Sequence, residues 1–196
     1  MVDAPFAPPP SHTATLFWNF WRELRKNAHA APYLLIDYAG IEGGRKRLPA
    51  QVFTRLESLF AGDLADELAD VGPYLGQLAA LSDEVGAVVL DLLERYVAVL
   101  VLMPAREPSK PGLGEADLTF RQLHRHLRKF NVIYNPASSP LYFRYCDPRV
   151  LNDVLHVMQA PQVVELFGPI DTLVLVNEFR QLKQFNGRDG RLAELT

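Results

Sequence analysis

The chain has 196 residues, of which 48% are hydrophobic, enough for one domain with a sizeable core. Its formal net charge of −3 is too small for bulk attraction to nucleic acid or to an anionic membrane. A lone cysteine, Cys146, excludes an internal disulfide and fits a reducing compartment.

The chain opens on four prolines within ten residues, with neither a basic nor an apolar stretch of the kind a signal peptide needs. Residues 1–11 are therefore expected to be a flexible, Pro-rich lead-in. Thr13 or Thr15 is placed to cap a helix running to about Asn27, with Leu16, Phe17, Phe20 and Leu24 facing the core. If Phe17 and Phe20 point inward, Trp18 is left near the surface, where tryptophan serves as an interface anchor. Tyr33 to Asp37 reads as a buried strand ending on a polar residue.

A basic glycine-containing loop follows at Gly40–Arg47. Val52, Phe53, Leu56, Leu59 and Phe60 recur at helical spacing and predict an amphipathic helix. An acidic loop (Asp63, Asp66, Glu67, Asp70) leads to the Gly72-Pro73 turn and an extended piece at Tyr74-Leu75. Ser82 is an N-cap, with Asp83 and Glu84 set to complement the dipole of a helix that buries Val85, Val88, Val89, Leu92, Leu93 and Tyr96. Val97 to Met103 is the central strand. The apolar run that contains it, from Tyr96 to Met103, is far shorter than the roughly 20 residues a spanning helix needs. A cytoplasmic location is expected.

After a loop over residues 104–114, Glu115 and Asp117 open a helix with Leu123, Leu127 and Phe130 on its core stripe. Val132 to Tyr134 and Leu141 to Tyr145 predict a β-hairpin, its second strand alternating Leu141, Phe143 and Tyr145 against Tyr142, Arg144 and Cys146. A helix from Pro148, a helical turn from Pro161 to Phe167 and a strand from Thr172 to Val176 complete the body. Helices and strands alternate, so the fold class is α/β or α+β, with a mixed β-sheet flanked by helices and a hairpin near residues 132–145. The expected organisation is a single domain over residues 12–177 and a polar tail over 178–196.

The step Asp147-Pro148-Arg149 has an economical structural reading. Asp147 accepts the orphan amides of the next helix, and Pro148 suits a first position that needs no amide hydrogen. Arg144 and Arg149 flank the aspartate, and an Arg–Asp pair there is able to be bidentate. Architecture outweighs catalysis at this corner. Arg121, Arg125 and Arg128 share one face of a basic helix. A solvated outer face is the plainest reading, an acidic protein partner the next, and nucleic-acid binding through residues 118–130 the alternative. His124 and His126 are two apart and diverge, and the acidic loop lacks a calcium-loop rhythm, so no metal is expected. Cys146 has no evident base, which leaves a small hydrolase using Asp37, Asp147 or Cys146 as a further alternative.

The order of these pieces resembles the effector-adaptor (effector chaperone) family of the bacterial type VI secretion system. The resemblance runs over roughly residues 33–177. It rests on Tyr33–Asp37, Leu59-Phe60, Ala69–Leu75, the basic Leu123–Phe130 helix, the Phe143-Arg144-Tyr145-Cys146-Asp147-Pro148-Arg149 corner and Phe167–Ile170. The corner is its most specific part, although Cys146 stands where relatives commonly carry an aromatic residue. Many relatives continue into a further C-terminal lobe, which residues 178–196 are then expected to begin if they are not a tail.

What the resemblance implies is a non-enzymatic cytoplasmic adaptor without a cofactor. Its partners would be a cognate effector, often through that protein's N-terminal region, and the C-terminal extension of the valine–glycine-repeat spike protein. Neither nucleic acid nor membrane is an expected partner. The partner-binding residues expected are Arg121, Arg125, Arg128, Tyr142, Arg144, Arg149 and Trp18, with Asp37, Asp147 and Pro148 as the structural motif.

Overall fold

In the computed structural model, which describes residues 11–26, 32–48, 50–104, 115–135, 137–187 and 190–195, the valine-leucine run forms β4 (Ala98–Leu102) at the middle of a sheet. All five of its residues are buried, as a strand covered on both faces requires. The other strands of that sheet are β1 (Pro32–Asp37), β2 (Phe53–Ser58), β3 (Pro73–Leu78), β7 (Thr172–Val176), β8 (Leu182–Asn186) and β9 (Ala193–Leu195). Their order is β2-β3-β1-β4-β7-β8-β9. β5 (Val132–Tyr134) and β6 (Pro140–Tyr142) form a separate hairpin. Residues 1–10 of the lead-in predicted over 1–11, the end of the first helix at Asn27 and the loop residues 105–114 lie outside the described residues.

The helices are α1 (His12–Lys26), α2 (Asp63–Glu67), α3 (Asp83–Glu94), α4 (Glu115–Leu127), α5 (Pro148–Val157) and α6 (Ala160–Phe167). Strand alternation divides the core into two layers. Tyr33, Leu35, Val99, Val101, Leu173 and Leu175 face α4, α5 and α6, which contribute Phe120, Leu123, Leu151, Leu155 and Leu166. Leu34, Ile36, Ala98, Leu100, Val174 and Val176 face α1 and α3, which contribute Phe17, Trp21, Val89 and Leu92. Each fully buried Leu, Val or Phe contributes about 1.5–3 kcal/mol of transfer free energy, so both layers are needed.

The α+β class, the flanking helices and the hairpin agree with the sequence reading. The mixed sheet does not, because every described pairing is antiparallel. The reason lies in the connection β3–α3–β4. It joins two strands that run the same way, but β1 is inserted between them and pairs antiparallel with both.

Four local expectations are also corrected. The helix expected over residues 52–60 is the edge strand β2, recruited by pairing with β3 and irregular between Phe53 and Arg55. Tertiary pairing overrides a helical spacing there. In α1 the buried positions are Thr13, Phe17, Trp21 and Leu24, while Leu16 is exposed and Phe20 only half-buried. Trp21 wins the interior because its ring lies against Gly86 of α3 and its indole N–H donates to the Ser82 carbonyl at 3.2 Å. The cap is Ser11, whose Oγ accepts from the Ala14 amide at 3.0 Å, not Thr13 or Thr15. Finally, the expected polar tail supplies β8 and β9, which extend the sheet from β7 with Phe185 buried.

Candidate functional site

Asp147 caps α5 as its sequence predicts. Its Oδ1 accepts from the Arg149 amide at 3.0 Å, and Pro148 occupies the first turn. The same carboxylate is held bidentately by the Arg149 guanidinium, Nε to Oδ1 at 2.9 Å and Nη2 to Oδ2 at 2.7 Å. Burial pushes the Asp147 carboxyl up, but the hydrogen bonds from Arg149 and the charges of Arg149 and Arg144 outweigh it and hold it below its ordinary value. Arg149 also lies over the Tyr96 ring, 5.6 Å from its centroid.

Arg144 turns the other way. Its Nε donates to Oδ2 of Asp37, at the end of β1, at 2.5 Å, while Asp37 Oδ1 accepts from the Ala39 amide at 3.1 Å. The two arginines thus serve two aspartates rather than sharing one. Partial burial works against the Arg144 charge, yet the Asp37 hydrogen bond and charge prevail and raise its pKa above the ordinary value.

The hairpin ends at Tyr142, so the predicted alternation through Cys146 stops there. Phe143, Tyr145 and Cys146 are all buried. A tight turn, closed by the Asp147 amide donating to the Arg144 carbonyl at 3.1 Å, swings them toward one core. The Tyr145 hydroxyl donates to the Leu127 carbonyl at 2.8 Å, tying the corner to the end of α4. Burial drives the Cys146 thiol well above its ordinary pKa, with the Asp37 charge adding to it, which disfavours a thiolate nucleophile.

Beside this corner opens a groove of about 570 Å³. Asp37, Ala39, Tyr142 and Arg144 form one part of its wall. Leu59, Phe60, Leu64, Leu68 and Val71 form a second part, and Arg128, Asn131 and Val132 a third. Phe60 and Tyr142 meet with ring centroids 5.7 Å apart. Asn131 holds the floor in place: its Nδ2 donates to the Leu59 carbonyl at 2.7 Å, and its own carbonyl accepts from the Phe143 amide at 3.0 Å. Burial raises the Tyr142 hydroxyl pKa, so that side chain stays neutral. The lining is mainly apolar, and Leu64, Val71, Val132 and Tyr142 are each close to half exposed.

A second, shallower depression of about 430 Å³ runs along the outer face of α4 and the 3-10 turn that follows it (Arg128–Phe130), between Arg121, His124, Arg125, Arg128 and Lys129. Arg128 belongs to both, so the basic face and the apolar groove are continuous. Two histidines fasten α4 to neighbouring segments. His124 Nε2 meets the Ser58 carbonyl at 2.8 Å, and His126 Nε2 meets the Leu166 carbonyl at 2.7 Å. A carbonyl only accepts, so each ring nitrogen donates.

Of the residues expected to bind a partner, Arg128, Tyr142 and Arg144 come together around the groove, and Arg121 and Arg125 adjoin it through the basic face. Arg149 is engaged by Asp147 and Tyr96 and does not line the groove. Trp18 packs half-buried beside Phe17 in the α1–α3 layer, on the other face of the sheet. Phe60, Leu64, Leu68, Val71, Asn131 and Val132 were not among the expected site residues. The Leu64/Leu68 spacing inside an otherwise acidic stretch was the available signal. Among the described residues no cluster of potential metal ligands occurs, and no helix is long and apolar enough to cross a membrane.

The fold and site define an α+β domain whose α4 end, α2 segment and hairpin enclose an apolar groove bordered by cations. A family model described as Domain of unknown function (DUF4123) matches residues 32–165, and the chain belongs to that family. The matched span takes in β1, the groove and the Asp147 corner. No curated protein and no solved structure matches the chain.

Proposed function

We propose that the protein is a non-enzymatic adaptor of the type VI secretion system. In this reading it binds a cognate effector in the cytoplasm and helps load it onto the C-terminal extension of the valine–glycine-repeat spike protein. The ordered sequence resemblance supports the reading, and the single observation that carries it is the groove: exposed apolar side chains next to a cationic helix face are what a protein-docking surface needs. The chemistry of the corner fits the same view. Asp37 and Asp147 each spend their charge on an arginine, and the Cys146 thiol is buried away from any substrate.

The test is co-purification with the effector and the spike protein encoded beside its gene. A complex that survives gel filtration at micromolar concentration is expected. Failure of both to bind removes the reading. The basic α4 face also suits a phosphate backbone, and tight binding to DNA or RNA with a steep salt dependence, in place of effector binding, would favour that second reading.

A further inference from the structure

We infer that the groove takes an amphipathic segment of the effector that is apolar on one side and acidic toward α4; the inference rests on the adaptor reading for the partner's identity. Size and lining set the apolar side. A groove of about 570 Å³ bordered by Phe60, Leu64, Val132 and Tyr142 has room for a few large aliphatic or aromatic side chains in a row.

Charge sets the other side. Arg128 stands at the junction of groove and basic face, with Arg125 and Lys129 exposed beyond it. Among the described residues these three take part in no ion pair, so an incoming carboxylate displaces none. The α2 segment bears exposed Asp63, Asp66 and Glu67 beside the groove-lining Leu64 and Leu68. A uniformly acidic peptide is repelled there. The occupant is therefore acidic along one edge only, and this polarity fixes the direction in which it lies.

Two synthetic amphipathic peptides with identical apolar residues, one with glutamates and one with lysines on the flank, serve as probes in fluorescence polarisation with the whole chain. The acidic peptide is expected to bind at least about tenfold tighter than the basic one. Val132→Asp, Leu64→Asp and the double change Arg125→Glu/Arg128→Glu each weaken it by about tenfold or more, and the double change also flattens its salt dependence. Phe179→Asp, at an exposed apolar position outside the groove, leaves it within about twofold. The charge changes lie at exposed positions, one near the end of α4 and one in the turn just after it, and keep the test readable if a groove variant loses its circular dichroism. Equal binding of both peptides, no binding of either, or binding that ignores all three changes overturns the inference. Failure of the effector to co-purify while the acidic peptide still binds in the groove instead removes the adaptor reading and spares the groove.

Discussion

Arg144 and Asp37 are 107 positions apart in sequence, yet the guanidinium Nε donates to the carboxylate at 2.5 Å and locks the corner before α5 to the end of strand β1. The Asp37 side chain is only 5% exposed, whereas that of Arg144 is 40% exposed. The two partners therefore differ in what their loss leaves behind. Arg144→Ala strands a buried carboxylate and is expected to lower stability by about 1–3 kcal/mol in urea unfolding. The double change Asp37→Ala/Arg144→Ala costs less than the sum of the single changes. Strict additivity would mean the pair does not couple β1 to the corner.

Asp147 does two jobs that substitution separates. Asp147→Ser keeps an Oγ acceptor for the Arg149 amide and loses only the ion pair with a half-exposed arginine, so a loss under about 1 kcal/mol is expected. Asp147→Ala removes the cap as well, and its loss exceeds that of Ser by about 1 kcal/mol. Equal melting temperatures for the two variants would show that capping contributes nothing here.

His126 makes stability depend on mild acid. Burial lowers its pKa from 6.5, and this outweighs the opposing effect of its hydrogen bond to the Leu166 carbonyl. The unfolded chain binds the proton more readily than the folded one, so the neutral ring's contribution is complete above about pH 6.5. It is lost as pH falls from there through the depressed folded value. Denaturant midpoints of the wild type are expected to fall between pH 7.5 and pH 5.5. In His126→Gln that fall shrinks, and an unchanged fall would assign the dependence to other groups.

Gly168 and Gly62 both have positive φ, +43° and +58°, but different surroundings. A Cβ on Gly62 meets nothing within 4 Å, whereas one on Gly168 comes within 2.4 Å of the His126 ring. Gly62→Ala is expected to lose about 1 kcal/mol from backbone strain alone. Gly168→Ala loses more, by about 1–3 kcal/mol, because the ring that anchors α4 to α6 is displaced. Similar losses would mean that His126 yields without cost.

Much of the fold was legible where the signal is local. Ser82 and the Asp147-Pro148 step announce helix starts because a cap needs only residues within one turn of chain, and Ala98–Leu102 declares a central strand by being apolar throughout. β2 was not legible, since Val52, Phe53, Leu56, Leu59 and Phe60 fit a helix equally well until β3 offers an edge. β8 is hidden by Lys183, Gln184 and Asn186, half-buried polar residues with only Phe185 fully inside. The basic face of α4 and the corner arginines were readable as residues. The groove that joins two of them, Arg128 and Arg144, was not, because its walls come from segments near residues 37, 59–71, 128–132 and 142–144 that meet only in the folded chain.

Titration calorimetry of the purified protein with the effector encoded beside its gene is the most direct measurement of the central claim. The account predicts a saturable complex with a Kd of about 1 μM or tighter, weakened by added salt and by Val132→Asp. No heat of binding at tens of micromolar effector, or a complex indifferent to both salt and Val132→Asp, would contradict it.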